Sequence, residues 1–185
     1  NRKLEWSGIS NVDTTFSSKY TLLTTAEVHS LYNFIKSTKG SIVELGRLHG
    51  GSTKIILKAL ENTSRELYSI DITDRPLLAF YPEDKKLYNN LVKITANSIT
   101  YKPTKIYETI FIDSNHSYQH ISKELKNWWN SIYKYFIFHD YRNKTYRSEG
   151  VKIIVDYLIK ENYLKKISLT DTLYIAEKNN ENNLF

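Results

Sequence analysis

Apolar positions along this chain recur in two alternating rhythms. In "TTAEVHSLYNFIK" (24–36), Val28, Leu31, Tyr32 and Ile35 return every three or four residues, as on one face of a helix, and Thr24 and Glu27 are spaced as a capping box. "SIVEL" (41–45) is a short strand-like run that stops at Gly46, and "STKIILKAL" (52–60) reads as a helix with Ile56, Ala59 and Leu60 inward. Further strands are expected at "ELYSI" (66–70), "LVKITA" (91–96) and "YETIFI" (107–112). A helix follows at "SYQHISKELKNWW" (117–129), with Tyr118, Ile121, Leu125 and Trp128 on one stripe. "YFIFH" (135–139) is continuously apolar through its first four residues, which suits a strand buried on both faces. "GVKIIVDYLIK" (150–160) is a helix with Val151, Ile154, Val155 and Leu158 inward.

Two last runs, "KKISL" and "TLYIAE", are separated only by Thr170 and Asp171. So short a link permits an antiparallel hairpin and excludes a parallel crossover. The pattern therefore predicts an α/β fold: a doubly wound, Rossmann-like sheet of seven strands, mostly parallel, with an antiparallel C-terminal strand and helices on both faces. Residues 1–38 read as an N-terminal segment and helix that covers an acceptor pocket, 39–178 as the ligand-binding domain, and 179–185, "KNNENNLF" without its Lys, as a frayed tail.

Composition narrows the function classes. The chain has 185 residues and no cysteine, which removes disulfide frameworks and thiolate metal sites. No apolar run approaches the ~20 residues of a membrane helix, and the first residues do not resemble a signal peptide, so the expectation is a cytoplasmic protein with no membrane partner. The net charge is +6, but the 26 Lys and Arg are scattered singly or in pairs, which argues against nucleic acid. The missing initiator Met points to a domain of a longer chain, and a homo-oligomer stays open.

The chemistry gathers at the strand ends. Sheets of this kind bind ligands outside the carboxyl ends of their strands. Those ends carry Glu44 with Gly46, Asp71, Asn97 with Ser98, Asp113, and His139 with Asp140. In "VELGRLHGGSTK" (43–54), Gly46 and Gly50 would let backbone approach a ligand, and the helix starting near Ser52 offers free N–H groups. A tight turn with nothing bound stays open for this stretch. Asp71, at the end of the next strand, is placed to accept both hydroxyls of a ribose, and a helix-capping role is its alternative.

With these stretches in view, the chain resembles the class I S-adenosylmethionine-dependent methyltransferases, in particular the O-methyltransferases related to the macrocin and mycinamicin enzymes. The resemblance spans roughly 40–160 and is carried by "VELGRLHGGST", "SIDI", "IFIDSNHSYQHISKEL", "FHDY" and "GVKIIVDYL". It implies S-adenosyl-L-methionine as cofactor. Glu44, Gly46 and Gly50 would line its methionine part, Ser52 and Thr53 the adjoining helix start, Asp71 the ribose, and Asn97 and Ser98 the adenine, with Asp113 also beside the cofactor. Where relatives often carry a metal-binding Glu, this chain has His139.

Methyl transfer to an alcohol needs a group that removes the hydroxyl proton. His116 suits a general base. Asp113 and Asp140 end neighbouring strands and could share a divalent ion, Mg²⁺ or Mn²⁺, with His139; a metal other than Mg²⁺, a His139 that points elsewhere, or a reaction without metal stay open. Blander readings make Asp113 the cap of the helix near Ser117, His116 a turn residue, His120 a helix-surface residue and His49 a loop residue near the cofactor. Tyr141, Arg142 and Arg147 are candidates for contact with the acceptor, expected to be a small-molecule or glycan hydroxyl. Two rivals stand beside this reading. One is a non-catalytic module that binds a partner or nucleic acid through its basic surface. The other is a nicotinamide-dependent oxidoreductase, against which stands the lack of a G-x-G-x-x-G.

Overall fold

A computed structural model of the chain describes residues 21–142, 149–182 and 184. Seven strands form one sheet in the order β3-β2-β1-β4-β5-β7-β6. The strands are β1 (Ile42–Leu45), β2 (Leu67–Asp71), β3 (Leu91–Thr95), β4 (Tyr107–Ile112), β5 (Ile132–Phe138), β6 (Leu164–Thr170) and β7 (Leu173–Lys178). The first five run parallel, and β7 lies antiparallel to both β5 and β6, so the terminal hairpin inserts its second strand beside β5. Every residue of β1 and β4 is buried. Their complete burial, which takes in Glu44, Glu108 and Thr109, follows from having helices on both faces.

Four helices make two layers. α1 (Thr25–Ser37) packs with α2 (Gly51–Leu60) on one face, and α3 (Tyr118–Trp128) with α4 (Glu149–Lys160) on the other. Two apolar clusters result, one around Leu31, Ile35, Ile56 and Phe111, the other around Ile121, Trp128, Phe136 and Val155. The capping box at Thr24 and Glu27 is present as the spacing predicts. The stripe on α3 differs from expectation: Tyr118 is half exposed and Glu124 takes the inward position instead. A 3-10 helix at Pro82–Asn90, invisible to either rhythm, is tied to α2 by Lys54 Nζ, 2.6 Å from Asp84 Oδ2. Past β7, Asn179 and Asn182 both donate to the Asn162 carbonyl. Among the described residues no helix is long and apolar enough to cross a membrane.

Strand order reverses between β1 and β4, and a crevice opens beyond their carboxyl ends. Two glycines set its dimensions. A Cβ on Gly46 would sit 2.3 Å from the Asp113 carbonyl oxygen, so the turn after β1 lies directly against the end of β4. A Cβ on Gly150 would meet Tyr118 N at 2.2 Å and His116 O at 2.5 Å, so α4 begins pressed on the backbone that carries His116. Replacing Gly150 by Ala is expected to cost about 1–3 kcal/mol in urea denaturation, because only backbone stands in the way. Ile153→Ala, one turn on and half exposed, is the control and should stay within about 0.5 kcal/mol.

Candidate active site

A cavity of about 470 Å³ fills the crevice, within the range of small-molecule sites. Of the residues assigned to a cofactor from sequence, Gly46, Ser52, Asp71, Asn97, Ser98 and Asp113 line it, as does His116. Glu44, Gly50 and Thr53 do not. Glu44 lies beneath the wall, fully buried, where its carboxylate accepts from Ser52 Oγ (2.6 Å), Thr53 Oγ1 (2.7 Å) and Ser69 Oγ (2.5 Å). Burial pushes its carboxyl above the usual range, since those hydroxyls and the Arg47 charge only partly compensate. Glu44 therefore holds Ser52 from beneath the cavity wall.

The glycines also have a packing role. Gly46 and Gly50 have φ of 94° and 84°, the left-handed region that glycine tolerates. The missing Cβ of Gly46 makes room for Asp113, and that of Gly50 for Leu77 and Phe80.

Asp71 is partly spoken for. Its Oδ2 accepts from the backbone N–H of Arg47 and of Leu48, and its Oδ1 from that of Thr73, each at 2.9 Å. Burial works against its charge, but these three N–H groups and Arg47 win, and the carboxyl lies below its ordinary range. A carboxylate has about four lone-pair sites, so one remains for a ribose hydroxyl rather than the two expected from sequence. Arg47 itself is buried, with Nη1 donating to Ser69 O at 2.6 Å, while Nε and Nη2 have no partner among the described residues. Nothing in the sequence marked this residue, because an isolated Arg in a loop ordinarily reads as surface.

Beside the cavity, β4 and β5 deliver a compact group of charges. His116 lies between two carboxylates, Nε2 3.3 Å from Asp113 Oδ1 and Nδ1 3.2 Å from Asp140 Oδ2. His139 Nδ1 lies 3.1 Å from the same Asp113 oxygen and 3.7 Å from Asp140 Oδ1. Its Nε2 faces Glu27 Oε2 at 3.5 Å. Glu27 is buried on α1, and its Oε1 accepts from both the N–H and the hydroxyl of Thr172, each at 2.7 Å. Asp140 adopts a left-handed backbone with φ of 62°, which Asp tolerates better than most residues.

Several blander readings fall away here. Ser117, not Asp113, caps α3, its side chain accepting from His120 N. His120 is turned into the cavity wall, with Nε2 3.1 Å from Glu124. Tyr141 donates its hydroxyl to Asp156 Oδ1 at 2.6 Å, which commits it away from an acceptor; Arg147 lies outside the described residues. His49 sits in the turn before α2, with Nδ1 3.3 Å from Pro76 O.

Three ligand atoms, one each from Asp113, His139 and Asp140, lie within 4.8 Å of one another. With Glu27 behind His139, this is the carboxylate–imidazole arrangement that orients a metal-ligating histidine, and the donor set fits a divalent cation. In the metal-free protein the imidazole carries a proton instead. Burial opposes that charge, but Asp113 and Glu27 hold His139 up at about 10. Burial likewise opposes the Glu27 carboxylate, and His139 with Thr172 and Thr24 brings it down to about 2. Asp113 is lowered by His116 and His139 against the same penalty.

A histidine raised in this way stabilises the fold fully below its unfolded value of 6.5 and loses that contribution as pH climbs through about 10. Glu27 contributes above 4.5 and loses its part as pH falls towards about 2. Urea denaturation in chelator should therefore show stability declining between pH 6.5 and 10 in the wild type, and His139→Asn should flatten that slope.

Comparison with known proteins places this geometry. Residues 43–141, more than half of the chain, match the family described as "Methyltransferase domain". No curated protein sequence matches. Among solved structures, similarity extends to a protein assigned as a caffeoyl-CoA O-methyltransferase from Staphylococcus aureus (TM-score 0.66, 16% identity, 86% of each chain covered). It extends also to the O-methyltransferase NovP (0.62, 17%, 86% of this chain and 82% of that one). The TDP-rhamnose 3′-O-methyltransferase CalS11 of calicheamicin biosynthesis is a third (0.61, 12%, 80% and 76%). At such identities the likeness is one of fold. The family match, joined to a crevice at the β1/β4 reversal, settles the assignment: the chain belongs to the methyltransferase-domain family.

Proposed function

We propose that this methyltransferase is an S-adenosyl-L-methionine-dependent O-methyltransferase acting on a hydroxyl of a sugar or glycosylated small molecule, with His116 as general base and a divalent cation at Asp113, His139 and Asp140. The observation that carries the reading is the placement of His116 on the wall of the cavity and between two carboxylates. The sugar class rests on CalS11 and on the resemblance to macrocin-type enzymes. When bound, the cofactor supplies an electrophilic methyl group and the cation a positive charge that acidifies the acceptor hydroxyl.

The chain's own residues do the rest. Ser52, at the N-terminal end of α2, and the lone pair left on Asp71 hold the nucleoside and its amino-acid tail. His116 takes the acceptor proton as the oxygen attacks in line, and catalysis comes chiefly from holding that line and excluding water. Burial works against the protonated form of His116, but Asp113 and Asp140 outweigh it and raise its pKa above 6.5. The neutral base thus becomes abundant at a higher pH than for a free imidazole. A cation held by Asp113 and Asp140 would compete with His116 for these carboxylates and so weaken the hold on its proton.

His116→Ala should lower kcat by on the order of 10²–10⁴ while leaving the affinity for S-adenosylhomocysteine unchanged in calorimetry. A wild-type kcat that is flat from pH 6 to 9 would move the base role elsewhere. Chelation should depress activity, and Mn²⁺ should restore it. Mn²⁺ should also raise the melting temperature of the wild type but not of Asp140→Asn, a readout independent of turnover.

A further inference from the structure

His139 is the donor in the group with Asp113 and Asp140 that offers nitrogen instead of oxygen, and its ring is flanked on two sides. Nδ1 faces the aspartates, 3.1 Å from Asp113 Oδ1 and 3.7 Å from Asp140 Oδ1. Nε2 faces Glu27 Oε2 at 3.5 Å, long for a hydrogen bond. The His139 side chain is 3% exposed and that of Glu27 1%, so water has little access to the gap between them. Glu27 is held in turn. Its Oε1 accepts from the N–H and the hydroxyl of Thr172 at the β6–β7 turn, and its Oε2 from Thr24 N at 2.8 Å.

An imidazole ligates a cation only through a nitrogen without a hydrogen, and the neutral ring then carries its hydrogen on the other nitrogen. Here the nitrogen turned to the aspartates is Nδ1. A cation bound there displaces any Nδ1 proton to solvent and leaves the ring hydrogen on Nε2, pointing at Glu27. A carboxylate only accepts, so Glu27 suits that arrangement, and a carboxylate behind a ligating ring strengthens it as a donor. The centre thus combines two carboxylates with one reinforced nitrogen. Mg²⁺ prefers octahedral oxygen surroundings and parts reluctantly with its water, whereas imidazole suits Fe²⁺, Ni²⁺ and Zn²⁺.

The next step rests on the cation assignment above. We propose that His139, held in place by Glu27, makes this centre selective for a late first-row divalent ion over Mg²⁺. His139 is the specificity-determining ligand in this scheme. Glu27 is a positioning residue that acts through the ring, and Thr172 anchors it from the hairpin.

Calorimetric titration of the full chain with Co²⁺ and with Mg²⁺, each alone, tests this. The wild type should bind Co²⁺ more tightly by on the order of 100-fold or more. His139→Asn puts a neutral oxygen donor in place of Nδ1; Co²⁺ should lose most of its advantage while Mg²⁺ hardly changes. Glu27→Gln should weaken Co²⁺ by about 10–100-fold, again with little effect on Mg²⁺. The proton NMR spectrum of the Co²⁺ complex should carry a strongly shifted resonance that disappears in deuterated solvent, the Nε2 hydrogen, and His139→Asn should lack it. Equal affinities in the wild type, or an unchanged ratio in His139→Asn, overturns the inference and spares the cation site. A merely structural Glu27 would weaken both ions alike in Glu27→Gln, and that result overturns its positioning role. Should Glu27→Gln fail to fold, the His139→Asn ratio and the proton resonance decide. Binding of neither ion by the wild type overturns the inference together with the cation of the proposed function.

Discussion

Two imidazoles and three carboxylates share one hollow at the end of this sheet, and their charges must balance in a place largely closed to water. Glu27, His139, Asp113, His116 and Asp140 alternate in sign when both rings are protonated, so each charge touches its opposite. A buried ion costs several kcal/mol unless its partners are close and well directed. Here the partners come from α1, β4, the segment after β4, and the end of β5, which makes the charge group a fastener for the carboxyl edge. With both rings charged, one negative charge is left over. Such a hollow favours a cation, whether a metal or the sulfonium of the proposed cofactor.

Packing and chemistry meet in the two glycine contacts. Gly46 lets the turn after β1 touch the Asp113 backbone, and Gly150 lets α4 rest on the segment carrying His116. Glu44 plays a related part from below, taking three hydroxyls so that Ser52 is fixed at the start of α2. Side chains behind the cavity wall thus set where the lining ones can stand. The aromatic residues at the end of α3 do the same for Ser98 through the Trp128 indole.

Much of this was legible in the sequence, and the limits have physical causes. Strand ends are abrupt changes from apolar to polar, so Asp71, Asp113 and Asp140 announce themselves, and a two-residue link can only be a hairpin. The capping box exposed Glu27 as a helix start but hid its contact with His139, because the Oε2 that accepts from Thr24 N also faces His139 across the fold, while Oε1 holds Thr172. Glu124 went unseen since a charge on an apolar stripe breaks the pattern that defines the stripe; a His and a Glu four apart beside Ile121 and Leu125 were the available clue. Asp71's occupancy by the backbone N–H groups of the glycine turn, and Arg47's burial, are properties of chain segments brought together only by the fold.

The tip of the β6–β7 hairpin illustrates what such coupling does. Viewed as a surface turn, Thr170–Thr172 would count among the easiest places to lengthen the chain. Yet Thr172 holds Glu27 by two hydrogen bonds, and Asp171 accepts from the Thr24 hydroxyl at the cap of α1. Extra residues there would slacken the grip on Glu27, and through it the charge on His139. Lengthening of the chain at this tip would therefore be selected against.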